Sequence, residues 1–307
     1  MKILVTGGAG FIGSHIVDAL IKQQHRVVVV DNLSTGRREF INSKAKFYRL
    51  DIQDKKLGQI FKKEKPAIVF HLAAQIDLRK SVDDPVWDAK TNILGSLNVL
   101  ENCRQFRVKK IIFASTGGAI YGDLPLNKLP TKENQPTWPL APYGLNKLTV
   151  EHYLNYYQQI FGLAYTVLRY GNVYGPRQNA LGEAGVVAIF INKILQRQQP
   201  IINGNGLQTR DYVYVGDVVR ANLLALKSKK IGIYNVGAAK QTSVNQIFAK
   251  VSQALNVKIK EVHGPAKVGE QRRSCLSFAK ISRELGWQPR VNLDQGIKLT
   301  VDWFKNN

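Results

Sequence analysis

Short apolar runs alternate along this chain with longer segments whose apolar residues recur at helical spacing. That alternation predicts parallel strands joined by crossover helices. Six strands are expected, at Lys2 to Thr6, Arg26 to Val30, Lys46 to Leu50, Ala67 to His71, Lys110 to Phe113 and Ala164 to Leu168. Ser14 to Gln23 and Leu148 to Phe161 read as helices, whereas Gly122 to Pro142, with five prolines, reads as a loop. After Leu168 the pattern becomes irregular, as in a second, smaller lobe. The expectation is an α/β protein with a doubly wound parallel sheet over residues 1–168. A mixed α/β lobe would occupy 169–307, with some of its segments returning to the first domain. Ligands of such sheets bind outside the carboxyl ends of the strands, and Gly7, Asp31, Asp51, Ala73, Ser115 and Tyr170 all follow predicted ends.

The first strand runs into Gly7-Gly8-Ala9-Gly10-Phe11-Ile12-Gly13 and then a helix. Read as Gly7-x-x-Gly10-x-x-Gly13 or as Gly8-x-Gly10-x-x-Gly13, the turn leaves backbone N–H groups free to meet a pyrophosphate at the positive end of that helix. Asp31 closes the second strand about 20 residues on, where a carboxylate accepts from an adenosine ribose and repels a 2′-phosphate. Together these make the sheet Rossmann-type and favour NAD over NADP. Further along, Tyr143 and Lys147 lie four residues apart, just after Pro142 at a helix start, so they share one face. A cation held beside a phenol favours the phenolate, which can act as a base.

A third element, Phe113-Ala114-Ser115-Thr116-Gly117-Gly118-Ala119-Ile120-Tyr121-Gly122, places hydroxyls after another strand. Combined with His71-Leu72-Ala73-Ala74, Asp31-Asn32, Asp51-Ile52, Asn92 and the run Arg169 to Pro176, these motifs resemble the extended short-chain dehydrogenase/reductase family. Within its NAD-dependent epimerase/dehydratase group the chain looks most like the UDP-hexose 4-epimerases. Arg210-Asp211-Tyr212-Val213 and Gly269-Glu270 carry the likeness onward, so it covers essentially the whole chain.

The resemblance implies an NAD site built from Gly7, Gly10, Phe11, Ile12, Gly13, Asp31, Asn32, Asp51, Ile52, Leu72, Ala73, Ala74, Asn92, Tyr143, Lys147 and Tyr170. It implies catalysis by Tyr143, Lys147 and a hydroxyl. Thr116 stands where the family's strand delivers its Ser or Thr, with Ser115 as the alternative because Gly117-Gly118 adds one residue before Tyr121. For a UDP-sugar it implies Asn172, Arg210, Lys267 (where relatives often carry arginine), Glu270, Ser274 and Thr116. Arg210 would face a phosphate; the plainer alternative is a surface ion pair with Asp211. Dehydratase relatives carry acidic residues after the hydroxyl, where this chain has Gly117, Gly118 and Ala119. Epimerases restricted to UDP-glucose and UDP-galactose carry a bulky tyrosine at the place of Ser274, so serine there implies that N-acetylated sugars also fit. The implied reaction is inversion at C4 through a 4-keto sugar with transient reduction of NAD. Epimerases of UDP-glucuronate or UDP-pentoses, and a non-catalytic NAD-binding sensor, are the alternatives.

Composition alters this picture little. Forty-four Lys+Arg against 22 Asp+Glu leave a formal charge of +22, which attracts anionic ligands, but the basic residues are scattered in pairs such as Lys62-Lys63 rather than gathered into an arm. No specific nucleic-acid partner is expected. No run approaches the roughly 18 apolar residues of a membrane helix, and the start of the chain reads as a strand rather than a signal peptide. Cys103 and Cys275 show no metal or disulfide spacing. A cytoplasmic homodimer without metal is the expectation.

Overall fold

A computed structural model describes residues 1–180, 185–266 and 271–307. The apolar runs form β1 (Lys2–Thr6), β2 (Arg26–Asp31), β3 (Lys46–Arg49), β4 (Ile68–His71), β5 (Lys110–Thr116) and β6 (Ala164–Tyr170). They pair in parallel in the order β3-β2-β1-β4-β5-β6. A seventh strand, Gly232–Val236, joins the sheet beyond β6. The register aligns Thr6 with Val30 and His71, and Thr116 with Tyr170, which in turn faces Val236. The carboxyl ends therefore share one edge.

Alternate residues of each strand serve opposite faces. Ile3 and Val5 pack in one core with Ile16, Val17 and Leu20 of the helix Phe11–Lys22 and with Val218, Ala221 and Ala225 of the helix Val215–Lys227. Leu4, Val28 and Val30 turn the other way, onto Leu57, Phe61, Leu100, Val150 and Leu154. A third core lies in the smaller lobe, where Phe190, Ile191, Ile247, Phe248, Val251, Ile297 and Val301 are buried. Two of its helices, Val244–Leu255 and Leu293–Lys305, open with capping boxes, Ser243 with Gln246 and Asn292 with Gln295.

The structure departs from the pattern-based reading in one way that matters for the site. β5 continues past Phe113 through Ala114, Ser115 and Thr116, because pairing with Leu168, Arg169 and Tyr170 supplies the strand register that small and hydroxylated residues do not announce. After the irregular region the chain re-enters the first domain. The helix Val215–Lys227, the strand Gly232–Val236 and Trp287 belong to the first core, and Trp287 donates its Nε1–H to Asp217 O at 2.8 Å. Among the described residues no helix is long and apolar enough to cross a membrane.

Candidate active site

The cradle after β1 is made by close approach of backbone. Gly7 has φ +69°, and a Cβ there would lie 2.6 Å from Ala73 N. A Cβ on Gly13 would lie 2.0 Å from Gly7 O, so the helix Phe11–Lys22 can rest on the turn only through glycine. At Gly10 the nearest atom to such a Cβ is Gly7 O at 3.3 Å, which leaves its outer side open. That helix has neither a side-chain cap nor an acidic residue in its first turn, so the N–H groups of Phe11, Ile12 and Gly13 have no capping acceptor and can serve as an anion cradle. Asp31 is buried at the end of β2. Its Oδ2 accepts from Ala9 N at 2.9 Å and its Oδ1 from Leu33 N at 2.8 Å. Burial pushes its carboxyl above the usual range, against these two amides. Asn32 donates to Asp51 Oδ2 at 2.7 Å, while Ile52 is buried against Gly95.

Across the turn, Leu72, Ala73 and Ala74 follow β4 and are tied to it by a buried chain of hydrogen bonds. Ala73 N–H donates to Thr6 Oγ1 at 3.3 Å, and Thr6 Oγ1 meets His71 Nδ1 at 2.7 Å. His71 Nε2 meets Ser96 Oγ at 2.9 Å, and that hydroxyl donates to Asn92 O. Because the Ser96 hydroxyl is spent on Asn92 O, these directions place a proton on His71 Nε2. Burial, aided by the nearby Lys147 charge, lowers the His71 pKa to about 3, which keeps it neutral. Asn92 itself is buried. Its Oδ1 accepts from Gln75 N, and its Nδ2 donates to Gln75 O and Asp88 Oδ1. It acts on the loop of Ala73 and Ala74 through Gln75.

Tyr143 and Lys147 stand on the first turns of the helix Pro142–Phe161, which starts with Pro142 at its N-terminal turn as the sequence implied. Gly144 lets that helix start sit on the following segment, since a Cβ there would be 2.4 Å from Ala119 O. Lys147 is buried. Its Nζ donates to Ala114 O at 2.9 Å and lies 6.0 Å from the centroid of the Tyr143 ring. Burial lowers the Lys147 pKa to about 8, although Asp88 and Glu151 pull it upward. Burial also raises the Tyr143 phenol above its ordinary 10, and Asp88 adds to that.

The two hydroxyls at the end of β5 have different surroundings. Ser115 is buried and donates to Glu151 Oε1 at 2.6 Å; Glu151 is also held bidentately by Arg169. Arg169 in turn donates to Tyr121 OH, which donates to Asn235 Oδ1. Thr116 points to the other face, and a Cβ placed on Gly118 would lie 3.9 Å from Thr116 Oγ1 and 3.6 Å from Asn172 Oδ1. The structure therefore brings Thr116 and Asn172 together around a glycine that carries no acid. Tyr170 closes β6, and its hydroxyl is paired with Asn222.

In the lobe, Arg210 and Ser274 lie on neighbouring segments, with Ser274 N donating to Thr209 O at 3.1 Å. Arg210 Nη1 donates to Thr209 O at 2.9 Å. Its neighbour Asp211 is not a surface partner. Asp211 is fully buried and accepts from the N–H groups of Ala238, Ala239 and Leu276, and burial raises its pKa to about 6. Ser274 is buried too, and its Oγ has no partner among the described residues. Lys267 and Glu270 lie outside the described residues. Three features escaped the sequence reading: the Asp88 cluster, the Glu151–Arg169 pair and the Asp211 clasp. Each is a buried polar group with at least one partner distant in sequence.

A fold with a glycine cradle, an acid at the second strand end and a Tyr/Lys pair over the fifth strand is that of a dinucleotide-dependent enzyme. The model of the NAD-dependent epimerase/dehydratase family matches residues 3–237, and the chain belongs to that family. It is 41% identical over 312 residues to the UDP-glucose 4-epimerase of Mycolicibacterium smegmatis, covering 100% of this chain and 99% of the relative. The UDP-glucose 4-epimerase of Thermotoga maritima, solved with UDP-glucose, superposes with a TM-score of 0.97 at 49% identity, covering 100% of this chain and 99% of that one. The UDP-N-acetylglucosamine 4-epimerase of Methanobrevibacter ruminantium, solved with UDP-N-acetylmuramic acid, gives 0.93 at 35% identity and covers 99% of this chain and 98% of that one.

Proposed function

We propose that this protein is a UDP-hexose 4-epimerase that interconverts UDP-glucose and UDP-galactose and also accepts UDP-GlcNAc and UDP-GalNAc. The observation that carries this reading is the Tyr143/Lys147 pair, whose lysine is bonded to Ala114 O of β5 two residues before Thr116, with glycine at 117 and 118 where an eliminating enzyme needs an acid. The cradle of Gly7, Gly10 and Gly13, with Asp31 beyond it, fits a dinucleotide on the evidence of its open backbone donors. NAD, when bound, accepts the C4 hydride and returns it. Leu72, Ala73, Ala74, Asn32, Asp51, Ile52 and Tyr170 would line its site.

In this reading Tyr143 is the base that removes the 4-hydroxyl proton and later gives it back, and Thr116 orients that oxygen. Lys147 supplies a positive charge to the phenolate. The protein alone favours the neutral phenol, and the positive charge of an oxidised dinucleotide, when bound, would add to that of Lys147 in favouring the phenolate. Asn172, Arg210, Lys267 and Glu270 are the proposed ligands of the nucleotide part, by the fork geometry of arginine toward phosphate and the affinity of carboxylates for ribose hydroxyls. Ser274, small and buried with an unengaged hydroxyl, supports room beside C2 of the sugar.

Two wider features complete the reading. Tyr156, Ile160 and Phe161 leave apolar surface on the helix Pro142–Phe161, with Tyr156 and Phe161 rings 5.8 Å apart, which supports a homodimer through this helix. Two free, buried cysteines accord with a reducing cytoplasm. The test is a panel of UDP-sugars assayed for C4 inversion. Turnover of both the plain and the N-acetylated pairs is expected, with Ser274→Tyr losing only the N-acetylated pair. Exclusive turnover of UDP-glucuronate, or of no sugar at all, would refute the proposal.

A further inference from the structure

Hydrogen bonds beneath Tyr143 and Lys147 converge on a carboxylate that the reaction as described does not use. Asp88, in the helix Pro85–Ala89, is fully buried. Its Oδ1 accepts from Gln75 Nε2 at 2.7 Å and from Asn92 Nδ2 at 3.1 Å, and its Oδ2 accepts from Asn146 Nδ2 at 2.6 Å. All three partners are amide donors, which suit an anion. Asn146 sits between Tyr143 and Lys147 on their own helix, so the last bond holds the turn that presents both. The Asn92 side chain also bonds both backbone groups of Gln75, accepting from its N–H and donating to its carbonyl, which ties the same carboxylate to the loop beside the glycine cradle.

We propose that Asp88 is a positioning residue for the epimerase reaction: its hydrogen bonds fix the turn bearing Tyr143 and Lys147, and its charge holds Lys147 in the ammonium form. The proposal rests on the assignment of Tyr143 and Lys147 given above. Among the titratable groups around the pair, Asp88 has the largest part in this task. Glu151, one turn on along the helix, also favours the lysine ammonium, less than Asp88 does, and it is bound bidentately to Arg169 of β6, whose charge opposes it. His71 of β4 stays neutral between Thr6 and Ser96. Asp88 is the carboxylate that acts on both members of the pair, favouring the lysine ammonium and opposing the tyrosine phenolate.

Those two effects give the proposal a signature. Without the charge, Lys147 loses its proton at lower pH, and Tyr143 also ionises at lower pH. The acid and alkaline limbs of the rate profile then move the same way, toward acid. A lost hydrogen bond alone lowers the rate and moves neither limb.

The experiment compares the wild type with Asp88→Asn, which keeps the shape and one acceptor but removes the charge. Turnover is measured against pH, and the Lys147 Nζ resonance is titrated by NMR in the NAD-loaded protein without sugar. Both limbs and the Lys147 midpoint should fall by roughly one pH unit, the lower end of what an adjacent opposite charge imposes. An unmoved profile with an unmoved Lys147 midpoint overturns the proposal, whatever happens to the rate. If Asp88→Asn does not fold, Asp88→Ser, which leaves room for water, takes its place in the same measurements. A wild type that inverts no sugar defeats the epimerase reading instead, and the Lys147 midpoint still decides what Asp88 does.

Discussion

Tyr143 and Lys147 titrate in a direction set by burial, which disfavours both of their charged forms. The phenol moves up from 10, and the ammonium moves down from 10.5 to about 8. Lysine therefore stays charged only below about pH 8, and its loss above that point removes the cation from the phenolate. Turnover should decline on the alkaline side of that value, and Lys147→Ala should abolish this limb while lowering the rate throughout. Tyr143→Phe deletes one oxygen and leaves the ring in place, so folding and NAD binding should survive while turnover falls by orders of magnitude. Calorimetric NAD binding beside initial-rate measurements would check this. Near-normal turnover by the phenylalanine variant would remove Tyr143 from the mechanism.

At the scale of elements, the glycine turn and the helix that rests on it form one unit. Gly13→Ala would place a Cβ 2.0 Å from Gly7 O, so turn and helix must separate. The expected result is a lower unfolding temperature that added NAD no longer raises; a midpoint that still climbs with NAD would contradict the account. This unit was legible in the sequence because strand, glycines and Asp31 follow one another within a single β–α–β stretch. The Tyr143/Lys147 turn was legible for the same reason, being local and marked by Pro142. Ser115 and Thr116 were not separable from sequence, since both are hydroxyls next to each other, and only the pleat of β5 sends one to Glu151 and the other toward Asn172. Asp88 and Asn146 meet across 58 positions, and no local pattern announces such a pair. The strand Gly232–Val236 escaped because its place is set by pairing with β6 after a long excursion through the other lobe.

Across the whole molecule, the ends of the sheet do different work: one carries the site, and the other is closed by structural polar contacts. Lys110 begins β5 at that far end and donates to Ala225 O at 2.7 Å and Ser228 O at 2.8 Å, where the helix Val215–Lys227 ends. Burial lowers its pKa from 10.5 to about 8. Between those values the unfolded chain binds a proton that the native chain does not, so this group makes stability rise with pH across that window. Lys110→Met lacks the effect. Urea unfolding should show the wild type gaining on the variant from pH 8 to 10.5, by about 3 kcal/mol at most. Parallel pH curves for the two proteins would mean that Lys110 titrates normally.

The central claim, that the protein inverts C4 by removing a hydride and returning it within one closed site, is tested most directly with UDP-glucose deuterated at C4. Incubated with the NAD-loaded protein in ordinary water, it should yield UDP-galactose that keeps its deuterium at C4, read by proton NMR. Product that has exchanged its label for solvent hydrogen, or no UDP-galactose at all, would contradict the account.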